Sequence, residues 1–177
     1  MNANQSIWAF TLTLTSLAGG WDWSTRRIPN WLTVPAFFTG IFVRTWIAGW
    51  RGAVSSLEGA GLALLLLLPL VLMRGLGAGD WKLMGAVGAF LGPVMTLFVL
   101  LSSILISGLM AVISMLRAHK VVSTLRNLWV LLRGFMVFGF RKNPEISLDN
   151  PGLLKLPFGV AVAIGTLGCF LAARWGW

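Results

Sequence analysis

Two aspartates, Asp22 and Asp80, are the side chains of this sequence best placed to do chemistry. Asp22 closes the first long apolar stretch and Asp80 follows the third. Ionisable groups at membrane depth are costly, which makes them candidates for function. Two carboxylates held close together cannot easily both ionise, so they share one proton. The ionised carboxylate can take a proton from water while the protonated one donates to a carbonyl oxygen, which is the chemistry of aspartic proteolysis.

The same two residues also admit a purely structural interpretation. Each can be an interfacial residue that meets water where its apolar segment ends. Asp80 can also be the N-cap of a helix that starts at Trp81, because an aspartate in that position accepts a hydrogen bond from a free backbone N–H.

The other candidate ligands in the sequence argue against a metal or cofactor site. Glu145 and Asp149 lie in a polar stretch and are expected to be solvated, and Glu58 is expected to have a structural role. His119 stands alone in a basic stretch, and no third acidic residue lies near the aspartate pair. A single cysteine allows neither a cysteine zinc site nor an intramolecular disulfide. The sequence therefore predicts no metal and no cofactor.

The composition indicates that these residues sit in an integral membrane protein. Of the 177 residues, 57% are hydrophobic and only 11% are charged, too few for a water-compatible surface. We expect one all-α domain over residues 1–177. The net charge of +9 is explained by the excess of Lys and Arg in cytoplasmic loops, so no nucleic-acid partner is expected.

Six membrane spans follow from the apolar segments. A spanning helix needs about 20 apolar residues, and the stretch from Leu83 to Leu116 is too long for one helix. We divide it at Gly92–Pro93, a pair of residues that breaks helices. The predicted spans cover residues 6–21, 31–50, 54–73, 81–91, 94–116 and 156–175, all approximate.

The distribution of basic residues predicts the orientation of the spans. No Lys or Arg precedes the first apolar segment, so we interpret it as a retained helix with its N-terminus outside, rather than as a secretory signal. The segments 22–30, 74–82 and 117–155 then face the cytoplasm and hold 11 of the 14 Lys and Arg residues. This asymmetry supports the orientation and places both aspartates on the inner face.

The long cytoplasmic loop 117–155 contains an apolar stretch from Val121 to Phe140 that two arginines interrupt. Arg126 and Arg133 are seven residues apart, so a helix would carry both on one face. We predict an amphipathic helix that lies on the cytoplasmic membrane surface. A seventh span is the competing interpretation, which the two arginines disfavour.

Glycines around Asp80 predict a tight turn followed by close helix packing. Gly75, Gly77 and Gly79 let the backbone turn sharply and approach another segment closely. Gly85 and Gly88 on the next helix allow close packing that would bring Asp80 towards Asp22. Nearby Lys82, Arg26 and Arg27 favour ionised carboxylates, whereas burial favours neutral ones, and the sequence does not decide between them.

Three short motifs resemble those of a known family. "GAGD" (Gly77–Asp80), followed by Lys82, resembles the GxGD motif of intramembrane aspartyl proteases. "DWSTRRIPNWLT" (22–33) resembles the segment around the first aspartate of prepilin peptidases, including its Arg-Ile-Pro-Asn core. "LPFGVAVAIG" (156–165) is similar to that family's late Pro-Phe-Gly helix start, although Val160 departs from the more usual Gly-Pro version. The resemblance spans nearly the whole chain. In addition to the two aspartates, the motif residues that carry it are Arg27, Pro29, Asn30, Gly77, Gly79, Lys82, Pro157 and Gly159.

The resemblance implies an aspartic endopeptidase of the bacterial inner membrane with Asp22 and Asp80 as its catalytic pair. Such enzymes remove the leader peptide of prepilins or pseudopilins at the cytoplasmic face, so we expect such a substrate and membrane lipid as partners. Larger members carry an N-terminal domain with paired CxxC motifs linked to N-methylation. With its first span predicted to begin near residue 6, we expect this chain to be without that domain and without methyltransferase activity; its small size resembles the peptidases of tight-adherence (Flp) pilus systems.

A second hypothesis belongs to a different functional class. The aspartates would then serve as a proton or ion relay in a transporter, or in a non-catalytic membrane assembly component. Transporters are often built from paired inverted repeats with broken helices. The sequence contains no clear repeat, so this hypothesis ranks below proteolysis.

Overall fold

The computed structural model describes residues 3–72, 75–117 and 157–175, and every regular element in these ranges is a helix. The prediction of an all-α fold is therefore confirmed for this part of the chain. The predicted amphipathic helix and nearly all of the loop 117–155 lie outside the described residues. The five helices are α1 (Ala3–Thr25), α2 (Asn30–Leu72), α3 (Ala78–Leu91), α4 (Pro93–Arg117) and α5 (Phe158–Arg174).

Helix α2 folds back on itself at Gly49. This residue has φ 58° and ψ −142°, a left-handed conformation that glycine adopts without strain. Three residues later, Gly52 lies directly against the Arg44 carbonyl, where a side chain would collide with the backbone. The predicted spans 31–50 and 54–73 are thus the two arms of one element, an N-terminal arm before Gly49 and a C-terminal arm after it.

Helix α3 lies at the centre of the fold, between the two arms of α2. All nine residues from Leu83 to Leu91 are buried. In the N-terminal arm, Gly40 packs against Ala89, and in the C-terminal arm, Gly59 packs backbone to backbone against Gly88. Small residues at these positions allow the helices to approach this closely.

The two ends of α3 are fastened to the arms by hydrogen bonds. The Trp81 indole N–H donates to the Leu64 carbonyl at 2.8 Å. At the other end, Arg44 Nη1 donates to the Phe90 carbonyl at 3.1 Å, which satisfies a carbonyl that the helix leaves free. Gly92 then breaks the helix with φ 77°, so the predicted break at Gly92–Pro93 is confirmed.

Helix α5 packs between α1 and α4. Gly19 of α1 faces Ala163 and the Gly159 carbonyl, and Gly165 faces the hydroxyls of Ser102 and Ser103 on α4. These close contacts fix the N-terminus of α5 beside the last turns of α1, which is the region that contains Asp22.

The outer surface of the described helices is rich in large apolar side chains. Leu65 on α2 is 69% exposed and Leu105 on α4 is 73% exposed. These two helices are long and apolar enough to cross a membrane. The surface agrees with the membrane association expected from the composition, while the number of spans and their orientation stay predictions.

Candidate active site

Asp22 lies in the last turns of α1 and is 5% exposed. Its Oδ2 accepts a hydrogen bond of 2.8 Å from the backbone N–H of Gly159, the second residue of α5. The N-cap residue of α5 is Pro157, whose side chain makes no capping hydrogen bond. A helix N-terminus favours a nearby carboxylate because of its free N–H groups and its dipole. For α5 this carboxylate comes from Asp22 of α1.

Asp80 lies in the first turn of α3. The helix begins at Ala78 with Gly77 as its N-cap, so the suggestion that Asp80 is the N-cap of a helix starting at Trp81 is wrong. As the third residue of the helix, Asp80 instead reaches back and accepts a hydrogen bond from the Gly77 backbone N–H. This is one half of a capping box, in which an acidic third residue satisfies the free N–H of the N-cap.

The two aspartates are near enough for their charges to interact, although 58 positions separate them in the sequence. Both lie outside the predicted spans 6–21 and 81–91. Burial, reinforced by the negative charge of Asp22 and opposed by the Gly77 hydrogen bond, raises the pKa of Asp80 from 3.8 to about 7. Burial also raises the pKa of Asp22, opposed by the Gly159 hydrogen bond and the positive charge of Arg26. The pair is thus arranged to hold one proton near neutral pH.

The basic residues near the pair in the sequence do not outweigh its burial. Lys82 Nζ donates to Asn30 Oδ1 at 3.0 Å, which ties α3 to the start of α2. Arg26 and Arg27 are both exposed. The sequence left the competition between burial and these cations open, and the structure shows that burial is the larger influence on the pKa of both aspartates.

The remaining residues of the three motifs start helices or make room for close contacts. The Pro29 carbonyl accepts the N–H groups of Leu32 and Thr33 in the first turn of α2. The Pro157 carbonyl does the same for Val160 in α5. At Gly77, an added Cβ would lie 3.0 Å from Asp80 Oδ2, so this position leaves space for the carboxylate.

Ile28 contacts both halves of the site and was missed by the sequence analysis. It lies between exposed Arg27 and the start of α2, yet is only 7% exposed. Its backbone packs against Gly79 and its side chain against Gly159. The available signal was a single large apolar residue in an otherwise polar turn between two helices.

Within residues 3–72, 75–117 and 157–175, no group of three or more His, Cys, Asp or Glu side chains could hold a metal ion. One buried side-chain oxygen in this part of the chain has no hydrogen-bond partner, the Thr33 hydroxyl in the first turn of α2. The described site is therefore a pair of carboxylates, each held by one backbone N–H at the start of a helix.

Comparison with known proteins gives one result. The sequence model of the type IV leader peptidase family matches residues 8–112, more than half of the 177 residues. The matched region contains both aspartates, whereas α5 lies beyond it. No curated protein and no solved structure matches the chain.

Proposed function

Because the chain belongs to the type IV leader peptidase family, whose members are peptidases of the aspartic type, we propose that Asp22 and Asp80 are its catalytic pair. The observation that carries this proposal is the electrostatic coupling of the two carboxylates across α1 and α3. A solvated interfacial aspartate would have neither the burial nor the acidic neighbour. The coupling supplies the shared proton that aspartic proteolysis requires.

In the proposed reaction, one water molecule is added across a peptide bond. Ionised Asp22 accepts a proton from the water as its oxygen attacks the carbonyl carbon. Protonated Asp80 donates its proton to the carbonyl oxygen at the same time. When the C–N bond of the resulting tetrahedral intermediate breaks, the proton held by Asp22 passes to the leaving nitrogen. One hydroxyl of the intermediate returns its proton to Asp80 as the new carboxylic acid forms.

The proposed substrate is a prepilin or pseudopilin whose leader is removed at the cytoplasmic face of the bacterial inner membrane. The family supports a prepilin substrate in general. The basic side chains of Arg26, Arg27 and Lys82 lie close to the pair in the sequence, and such clusters are typical of cytoplasmic membrane boundaries. The proposal covers peptide cleavage in a tight-adherence (Flp) type of system, without N-methylation; the chain has one cysteine and hence no paired CxxC motif.

Co-expression of the full chain with a candidate prepilin tests the proposal. Asp22→Asn and Asp80→Asn keep the size of each side chain and remove its acid–base function. We expect each to abolish processing, as measured by mass spectrometry of the pilin N-terminus. Glu58→Gln, at an exposed carboxylate outside the site, is the matched control and should process normally. Wild-type processing by either aspartate variant would refute the assignment of the pair, and a methylated product would refute cleavage without methylation.

A further inference from the structure

Ile28 occupies the short connection between α1 and α2, after a sharp change of chain direction. Arg26 has φ 54°, a left-handed conformation that is uncommon for residues other than glycine. The chain then runs without regular structure to Pro29. Within this connection the two arginines are exposed while Ile28 is buried, so the turn directs one apolar side chain into the protein.

The backbone of Ile28 forms the surface on which the first turn of α3 rests. A Cβ built on Gly79 would lie 3.0 Å from the Ile28 carbonyl oxygen, 3.1 Å from Ile28 Cβ and 3.4 Å from the Ile28 nitrogen. The distances to the carbonyl oxygen and to Cβ are shorter than ordinary van der Waals contacts, so there is no room for a side chain between Gly79 and Ile28. Gly79 precedes Asp80 directly, and this contact therefore limits how far the Asp80 carboxylate can move towards α1.

The side chain of Ile28 makes a second contact, with α5. A Cβ built on Gly159 would lie 3.1 Å from Ile28 Cδ1 and 3.0 Å from Asp22 Cβ. The N–H of this same glycine holds Asp22 Oδ2. Ile28 thus lies between Gly79, which precedes Asp80, and Gly159, whose N–H binds Asp22.

We propose that Ile28 is a positioning residue that sets the separation of Asp22 and Asp80 by packing its backbone against Gly79 and its side chain against Gly159. Ile28 can act as a spacer between the two aspartates because protein interiors are close-packed, so a change of one methyl group displaces the neighbouring residues. The effect on cleavage rests on the proposed function of the pair. The effect on the distance between residues 22 and 80 does not.

A compensation experiment separates this role from general stability. Gly159→Ala places a methyl group against Ile28 Cδ1 and Asp22 and should lower prepilin cleavage by about 10–100-fold, the range expected for a displacement near 1 Å. Ile28→Val removes Cδ1 and should restore part of that loss, at least about threefold. Gly79→Ala is the matched control, because its methyl group meets the Ile28 backbone, which Ile28→Val leaves in place. Equal rescue of both alanine variants, or of neither, would overturn the proposal.

The pH profile of cleavage gives a readout that simple loss of folding does not move. In Ile28→Ala the repulsion between the aspartates changes with their separation, so the alkaline limb of the profile should shift. Leu100→Ala, which truncates a side chain of similar burial on α4, should lower the amount of folded protein and leave the limb unchanged. An unshifted limb in Ile28→Ala contradicts the inference.

Cross-linking tests the spacing without any enzyme activity. In a Cys169→Ser background, Asp22→Cys and Asp80→Cys together should form a disulfide at a measurable rate when diamide is the oxidant. Adding Ile28→Ala should change that rate at least about threefold, whereas adding Leu100→Ala should not. An unchanged rate in Ile28→Ala refutes the spacer even if the pair is catalytic, and a changed rate supports it even if the chain cuts no prepilin.

Discussion

The proton held by Asp80 leads to a prediction about stability that does not require a substrate. Its carboxyl has a pKa of about 7 in the folded chain, against 3.8 as its ordinary value, and burial is the main cause. Between these two values the folded state binds a proton that the unfolded state releases. The free energy of unfolding must therefore fall as the pH rises from about 4 to about 7, because stability decreases with pH wherever the folded state binds more protons.

The size of this effect follows from the same two values. A tenfold change in a protonation equilibrium corresponds to about 1.4 kcal/mol, so the difference between 3.8 and about 7 amounts to about 4 kcal/mol. For a chain of 177 residues, each kcal/mol moves the melting temperature by roughly 2–4 °C. The melting temperature of the wild-type protein should thus fall by roughly 8–16 °C relative to that of Asp80→Asn over this pH range.

The assay is thermal unfolding of detergent-solubilised full chain at constant ionic strength, in steps from about pH 4 to about pH 8. The difference between the wild-type and Asp80→Asn curves removes contributions from all other titrating groups. In Asp22→Asn the charge of Asp22 is gone while the burial remains. The decrease in stability with pH should therefore be smaller in Asp22→Asn and should end at a lower pH. The reason is that the charge of Asp22, after burial, is the second cause of the raised pKa of Asp80.

Parallel curves for wild type and Asp80→Asn would refute the reasoning, because they would mean that Asp80 ionises as easily in the folded chain as in the unfolded one. Cleavage provides an independent check on the same group. Since the proposed reaction needs one proton on the pair, the rate should fall as the pH rises through about 7. A rate that stays constant to well above this pH would contradict Asp80 as the proton donor.

Three substitutions, two of them paired with a matched control, also have expected outcomes. Gly159→Ala should slow cleavage about 10-fold or more, whereas Gly168→Ala on the same helix, where a Cβ would meet nothing within 4 Å, should cleave at the wild-type rate. Gly88→Ala should lower the melting temperature through its collision with the α2 backbone, whereas Gly61→Ala, with open space, should raise stability by about 0.5–1 kcal/mol. Thr33→Val removes the buried hydroxyl that has no partner and should raise stability by about 1 kcal/mol, as measured by unfolding.

The features that the sequence predicted correctly depend on local chemistry. Apolar runs marked the helices, and Gly92–Pro93 marked a break because proline lacks an N–H and glycine tolerates φ 77°. The acidic pair was selected because carboxylates beside apolar segments are costly, and its catalytic role stays a prediction. Periodicity and composition along the chain contain this information directly.

The features that the sequence did not predict depend on contacts between distant segments. The hydrogen bond from Gly159 to Asp22 spans 137 positions, and no local pattern encodes it. Lys82 follows Asp80 by two residues, but on a helix that spacing turns its side chain away, and it binds Asn30 instead. The burial of Ile28 likewise depends on three segments that meet only after folding.

The immediate surroundings of the two carboxylates also explain why they should play different roles. Asp22 receives the N–H of α5 and the positive charge of Arg26, both of which favour its ionised form. Asp80 receives one N–H from its own helix and faces the negative charge of Asp22, which favours its protonated form. The asymmetry favours Asp22 as the base and Asp80 as the acid. What distinguishes them is the neighbouring charge, which is the positive charge of Arg26 for Asp22 and the negative charge of Asp22 for Asp80.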